Sequence, residues 1–157
     1  MRTKLEAIIS ELKESFDGKP WYGIPVMEKL NQIPWEVVNE KTYGSKTIAV
    51  LVQHIINWRA FVLKKLEGNL MFDIVIDGEN DWEAVTIQSQ EEWNFLKQKL
   101  QDSQDSLIQK LAHETDEILQ KKVIGKEYTF GPILTSIAQH DIYHLGQIAM
   151  LNAMHKS

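Results

Sequence analysis

The sequence predicts an all-α fold, a four-helix bundle, on three observations. Four segments repeat apolar residues at intervals of three and four, the spacing that gives a helix one buried side. No convincing strand alternation interrupts them, apart from the short run Phe72 to Ile76. The joins between the first and second helices, and between the second and third, are long enough for crossover connections, with the order of packing left open. At 157 residues the chain fits a single domain over residues 1–157.

The first helix is expected from Thr3 to about Phe16, with Leu5, Ile8, Ile9, Leu12 and Phe16 on its buried side and Thr3 and Glu6 forming a capping box. Asp17-Gly18-Lys19-Pro20 stops it. A short helical piece is expected around Pro25 to Leu30. The second long helix runs from Ser45 to Glu67 with Ile48, Leu51, Val52, Ile55, Trp58, Val62 and Leu66 in its stripe, and Gly68-Asn69 closes it. Residues 68 to 89 mix Gly, Asp and Asn with aromatics and read as a long connection, the kind that carries function or disorder. Ser89 and Glu92 make a second capping box at the start of the third long helix, which is expected to reach about Gln120. Pro132 suits the first turn of a fourth helix ending near Met154.

Composition narrows the chemistry. Seventeen basic against 22 acidic residues leave a net charge of −5, the wrong sign for neutralising phosphates, and Lys64-Lys65 and Lys121-Lys122 are too short for a basic stripe, so no nucleic-acid partner is expected. The longest uncharged apolar run, Thr47 to Ile56, is about half the ~20 residues of a membrane span. With no apolar leader after Met1, a cytoplasmic location without membrane contact is expected. The absence of cysteine excludes Cys-ligated metal and protein thiol nucleophiles, so any metal must be held by His, Asp or Glu.

The fourth helix carries the anomaly. At ~100° per residue, Ile133, Ile137, His140, Asp141, His144, Ile148 and Leu151 share one side, which places two imidazoles and a carboxylate in a stripe that should face the core. Burying such groups without partners costs about 1–3 kcal/mol each, and more for a charge, so a common partner is required. Residues four apart on a helix lie ~5–6 Å from each other, close enough for two imidazoles to reach one cation. A third donor must come from another helix. His54, at the flank of the second helix's apolar stripe, is the best candidate; His113, in a polar stretch, and His155, near the end of the chain, are weaker. The alternative is that these are hydrogen-bonded core histidines, the commoner state of a lone His on an apolar face.

Asp141 is expected to act in catalysis, as an outer-shell acceptor orienting an imidazole, a water-polarising base or a fourth ligand; a salt bridge, with Arg59 a candidate partner, is the alternative. Trp58, one turn from His54, is expected to wall the substrate pocket; Trp82, in the long connection, is a further candidate to cover its mouth, and burial in the core is the alternative for both. Gly146 would allow a neighbouring element to approach closely, and Gln147 would hydrogen-bond near the site; ordinary packing is the alternative for both.

The run His140-Asp141-Ile142-Tyr143-His144-Leu145-Gly146-Gln147-Ile148, with His54 in Leu51-Val52-Gln53-His54-Ile55, resembles the DinB family of metalloenzyme-like proteins. The helical pattern covers nearly the whole chain, and the His-x-x-x-His-x-Gly-Gln-Ile string is its specific part. The resemblance implies a crossover four-helix bundle, dimerisation, and a divalent metal, zinc or nickel, held by His54, His140 and His144 with open positions for water or substrate. Better-understood relatives include S-transferases and an isomerase that use low-molecular-weight thiols. The function so implied is a small-molecule thiol S-transferase or hydrolase; a non-catalytic bundle that binds metal structurally is the alternative. A zincin-like peptidase is disfavoured because the Asp of His140-Asp141-x-x-His144 is one methylene shorter than the usual Glu. A di-iron carboxylate site is disfavoured because no second copy of Asp141-x-x-His144 exists. Apolar residues on a further face of the second helix, Ile56 and Leu63, add to the expectation of a homodimer.

Overall fold

In the computed structural model, which describes residues 2–41, 44 and 46–156, the chain is all-helical. Its helices are α1 (Thr3–Asp17), α2 (Val26–Asn31), α3 (Ile48–Leu66), α4 (Gln90–Ala112) and α5 (Phe130–His155), with short 3-10 turns at Trp35–Val37 and Asp116–Gln120. Among the described residues no strand forms; Phe72 to Ile76 is irregular, and Lys122 and Thr129 make an isolated bridge. No helix of the described residues is long and apolar enough to cross a membrane.

The four long helices make a square. α3 packs on α4 and α5, and α1 packs on α5 and more lightly on α4, so α1 lies diagonally across from α3 and α4 from α5. The connections α1-to-α3 and α4-to-α5 therefore cross diagonals, the arrangement that long joins permit.

Caps explain where the helices begin and end. Thr47 caps α3, its Oγ1 accepting from Val50 N at 3.2 Å, so the described helix begins at Ile48; the expected start at Ser45 lies outside the described residues. Gly68, at φ +80°, closes α3 with Gly68 N donating to Lys65 O and Asn69 N to Lys64 O, the paired bonds of a Schellman motif. Ser89 caps α4 through Glu92 N at 3.2 Å, while the returning bond from Glu92 reaches Gln88 N at 2.7 Å, one residue earlier than a capping box requires.

Two helix ends depart from expectation for one reason. Thr3 and Glu6 form no capping box; α1 starts with no cap from its own side chains. Its free amides at Leu5 and Lys4 donate instead to the Asp116 carboxylate at 2.9 and 3.3 Å. To supply that carboxylate the chain leaves the helix after Ala112 and turns through Asp116–Gln120, so the third long helix stops short of Gln120 although Ile118 continues its apolar spacing and is buried.

The core divides into two clusters. One gathers Phe16, Leu30, Ile48, Val52, Trp93, Leu100 and Ile148; the other gathers Leu5, Leu12, Phe61, Leu107, Phe130 and Leu134. Between them runs a polar layer that touches all four long helices. Arg59 of α3 donates to Gln104 of α4 at 2.7 Å and to Asp141 of α5, Gln104 donates to Leu12 O of α1 at 3.1 Å, and the guanidinium lies 4.9 Å from the ring centre of Phe16. Ile56 is buried in the first cluster, and Leu63 packs partly buried against the second.

Candidate metal centre

The polar layer continues into a cluster of three histidines. His54, in the second turn of α3, faces His140 and His144, one turn apart on α5, across the α3–α5 contact. Nε2 of His140 lies 3.1 Å from Nε2 of His54 and 3.1 Å from Nε2 of His144. One donor atom from each of the three falls within 4.8 Å of the others, with His54 and His144 buried and His140 partly so.

The remaining ring nitrogens show what the cluster holds. Nδ1 of His54 is 2.9 Å from Asp81 Oδ1 and 3.0 Å from the Asp81 main-chain oxygen, both acceptors, so this nitrogen carries the ring hydrogen. Nδ1 of His144 is 2.6 Å from Gln147 Oε1 and is likewise a donor. With those hydrogens on the outer side, Nε2 of each of the two rings presents a lone pair toward His140. A hydrogen on His140 Nε2 can satisfy one of these lone pairs but not both, which leaves a repulsive contact unless a cation sits among the three. The geometry fits one: nitrogens 3.1 Å apart subtend roughly 100° at an ion ~2.0–2.1 Å from each, between octahedral and tetrahedral values.

Electrostatics favours the ligating form. Burial, joined by the neighbouring rings and Arg59, pulls the pKa of His140 down to about 3 against a weaker upward pull from Asp81. Burial also lowers His144, with its Gln147 bond acting in the opposite direction. Both rings are neutral at pH 7 and have lone pairs to give.

Asp81 organises the surroundings. Its Oδ1 also accepts from the Trp58 indole at 2.8 Å, and its Oδ2 accepts from Asp77 N at 2.8 Å. Trp82 stacks on the His54 ring with centroids 3.7 Å apart and planes 3° from parallel. The connection that delivers these two residues is held by its own side chains. Asn69 Oδ1 accepts from Met71 N and Phe72 N, Asn80 bridges Val75 N and Asp73 O, and Asn57 of α3 donates to Asn80 O. Lys126 anchors it from the other side through Asp73 at 2.7 Å.

Asp141 does not join the ring nitrogens. It is 1% exposed, and its Oδ2 accepts from Arg59 while Oδ1 has no partner among the described residues. Burial pushes its carboxyl pKa up, and Arg59 pulls it back. Of the roles open to this residue, the geometry displays the ion pair. Gly146 faces open space, so the close approach expected there is not found. His113 is exposed and bonded to Gln109 O, and His155 pairs with Glu40 at 2.9 Å; neither joins the cluster.

A cavity of about 530 Å³ opens beside His140, lined by Trp58, Val62, Ile76, Trp82, Tyr128 and Ile133 among others. The sequence points to Trp58 and Trp82 but not to Asp81. A signal for Asp81 is nonetheless there: an Asp beside an aromatic, within a long Asx-rich connection.

The fold and the cluster together define an all-helical protein with a three-histidine site suited to a metal ion. The DinB superfamily pattern matches residues 23–148, most of the chain, and the protein belongs to that superfamily. No curated protein and no solved structure gives a match to it.

Proposed function

We propose that this protein is a metal-dependent enzyme acting on a small molecule, as a thiol S-transferase or a hydrolase. The supporting observation is the pair of 3.1 Å nitrogen contacts whose outer hydrogens are already committed to Asp81 and Gln147. His54, His140 and His144 hold a divalent ion, zinc or nickel, through Nε2. When bound, such an ion supplies Lewis acidity that lowers the pKa of a coordinating water or thiol.

The chain's own residues do the rest. Asp81 and Gln147 fix the tautomer and tilt of two ligands, which keeps the Nε2 lone pairs convergent. Trp82 shields the His54 face, and the apolar cavity excludes water on the substrate side. The Arg59–Asp141 pair locks α3 to α5 and so fixes the spacing between His54 and the other two rings. Because the chain has no cysteine, a thiol nucleophile arrives on a co-substrate.

Elemental analysis of untagged wild type against His140→Ala and His144→Ala tests the metal. About one ion per chain in wild type and a loss in both variants is the expected result; equal content in all three defeats the proposal. Screening the metal-loaded protein with electrophiles, in the presence and absence of low-molecular-weight thiols, then separates transfer from hydrolysis: product formation that requires the thiol identifies a transferase.

A further inference from the structure

The cavity beside the histidines is a mismatch in chemical terms: it abuts a polar cluster, yet most of its exposed wall is hydrocarbon. α3 contributes Trp58 and Val62 and α5 contributes Ile133 and Ile137. Two connections close the sides, one with Ile76 and the other with Tyr128, and these side chains stand 74% and 42% exposed at the rim. Large apolar side chains displayed to water around a concave site mark a place where an apolar partner is bound.

The charges on the lining carry the argument further. Among the described lining residues there is no lysine, and the arginine, Arg59, is already engaged by Asp141 and Gln104. Three carboxylates line the same space: Asp81 and Asp141 are committed to partners, and Asp77 is exposed at the rim. Away from the histidine cluster, an anionic group in this cavity would shed its water and meet no free side-chain cation, which is unfavourable. A neutral apolar group would cover Ile76 and Tyr128 and leave every polar partner undisturbed.

We propose that this cavity takes the uncharged, apolar part of a small substrate, gripped by Trp58, Ile133 and Ile137 and covered at its mouth by Ile76 and Tyr128. The substrate's polar, reacting end then lies toward His140. The inference deepens the proposed function and rests on it in taking the cavity as the substrate side of the histidine cluster.

The test compares a neutral probe, 2-naphthylmethanol, with its anionic counterpart, 2-naphthoate. Binding is followed through the Trp58 indole N–H resonance and by calorimetry, on protein loaded with zinc and on protein treated with chelator. The neutral probe is expected to bind about tenfold or more tightly than the anion to the chelator-treated form, where no ion draws the carboxylate, the ratio that a desolvated, unpaired carboxylate implies. Ile133→Trp fills the cavity and is expected to weaken the neutral probe by about tenfold or more at unchanged melting temperature. Ile76→Asp, at an exposed rim position that folding does not depend on, is expected to weaken it by at least about threefold.

Equal or tighter binding of naphthoate to the chelator-treated form overturns the proposal. So does a neutral-probe affinity unchanged by Ile76→Asp, which decides the matter alone if Ile133→Trp fails to fold. The two readings fail separately. Zinc retained with no probe bound sinks the apolar substrate and spares the metal centre; probe bound by protein that takes up no zinc does the reverse.

Discussion

Oδ1 of Asp81 lies 2.9 Å from Nδ1 of His54, so a residue from the irregular stretch between α3 and α4 sets the orientation of a ring on α3. The same oxygen holds the Trp58 indole at 2.8 Å, and the other oxygen holds the amide of Asp77, a residue in the left-handed region at φ 61°. A single buried carboxylate thus ties the ligand, a cavity wall and the loop into one unit. Asp81→Asn keeps the shape but makes the acceptor neutral and offers a competing N–H. Metal affinity is expected to fall by roughly 10- to 100-fold, the usual effect of losing an outer-shell partner, as measured by competition with a chelator. Hydrogen exchange of residues 73–82 should rise in the same variant. Unchanged affinity and exchange would show that the loop only happens to lie beside His54.

Gln147 does for His144 what Asp81 does for His54, but from an exposed position and with a neutral amide. Its replacement should therefore cost less. Gln147→Leu is expected to lower metal affinity by less than Asp81→Asn does in the same chelator competition, and Gln147→Glu, which restores a stronger acceptor, to recover it. A larger loss from Gln147→Leu than from Asp81→Asn would reverse the ranking of the two partners.

Much of this architecture is legible in the sequence. The apolar stripes give all four long helices, because a two-sided helix writes its burial into the 3.6-residue period. The stripe on α5 also exposes the site, since His140, Asp141 and His144 stand where apolar residues belong. What the sequence hides depends on contacts between distant segments. Nothing local in His113-Glu114-Thr115 announces the end of α4; the helix stops because Asp116 is needed by amides more than a hundred residues earlier. Asp81 is hidden for the same reason, as irregular connections have no period from which a direction can be read. Asp141 shows a third kind of gap: the period places it on the correct face, but which neighbour claims the carboxylate is a matter of side-chain geometry.

The Asp116 cap makes a prediction about pH. Its bonds to Leu5 N and then Lys4 N hold its carboxyl below the ordinary value of 3.8. A carboxylate whose folded pKa is depressed contributes stability that is fully present above the unfolded value and is lost as pH falls through the folded one. Thermal melts of wild type and Asp116→Asn should differ at pH 6, with wild type the more stable. The gap should close below about pH 4, as the wild-type carboxylate takes up its proton. A gap that persists unchanged to pH 2 would mean that the contact does not depend on the charge.

Arg59 and Asp141 supply the sharpest separation between structure and catalysis. Both are 1% exposed, and each is the other's counter-charge in a layer that touches all four long helices. Removing one leaves the other buried and uncompensated, so Arg59→Met is expected to cost about 3–5 kcal/mol in urea unfolding. Replacing the pair with apolar residues, Arg59→Met with Asp141→Leu, should restore much of that loss, because burying two charges costs nearly as much as their attraction returns. The non-additivity of the cycle measures the coupling directly. Catalysis is read from a third variant, Asp141→Asn, which keeps the volume and one acceptor. If Asp141 acts by locking α3 to α5, this variant loses stability and some metal affinity, while its turnover per folded, metal-loaded molecule stays near wild type. If Asp141 is instead the base expected from its neighbours in the sequence, turnover falls by roughly 10²- to 10⁴-fold with stability and metal content intact. The buried ion pair favours the first outcome: a carboxylate enclosed by a guanidinium and 1% exposed is poorly placed to exchange protons with a substrate.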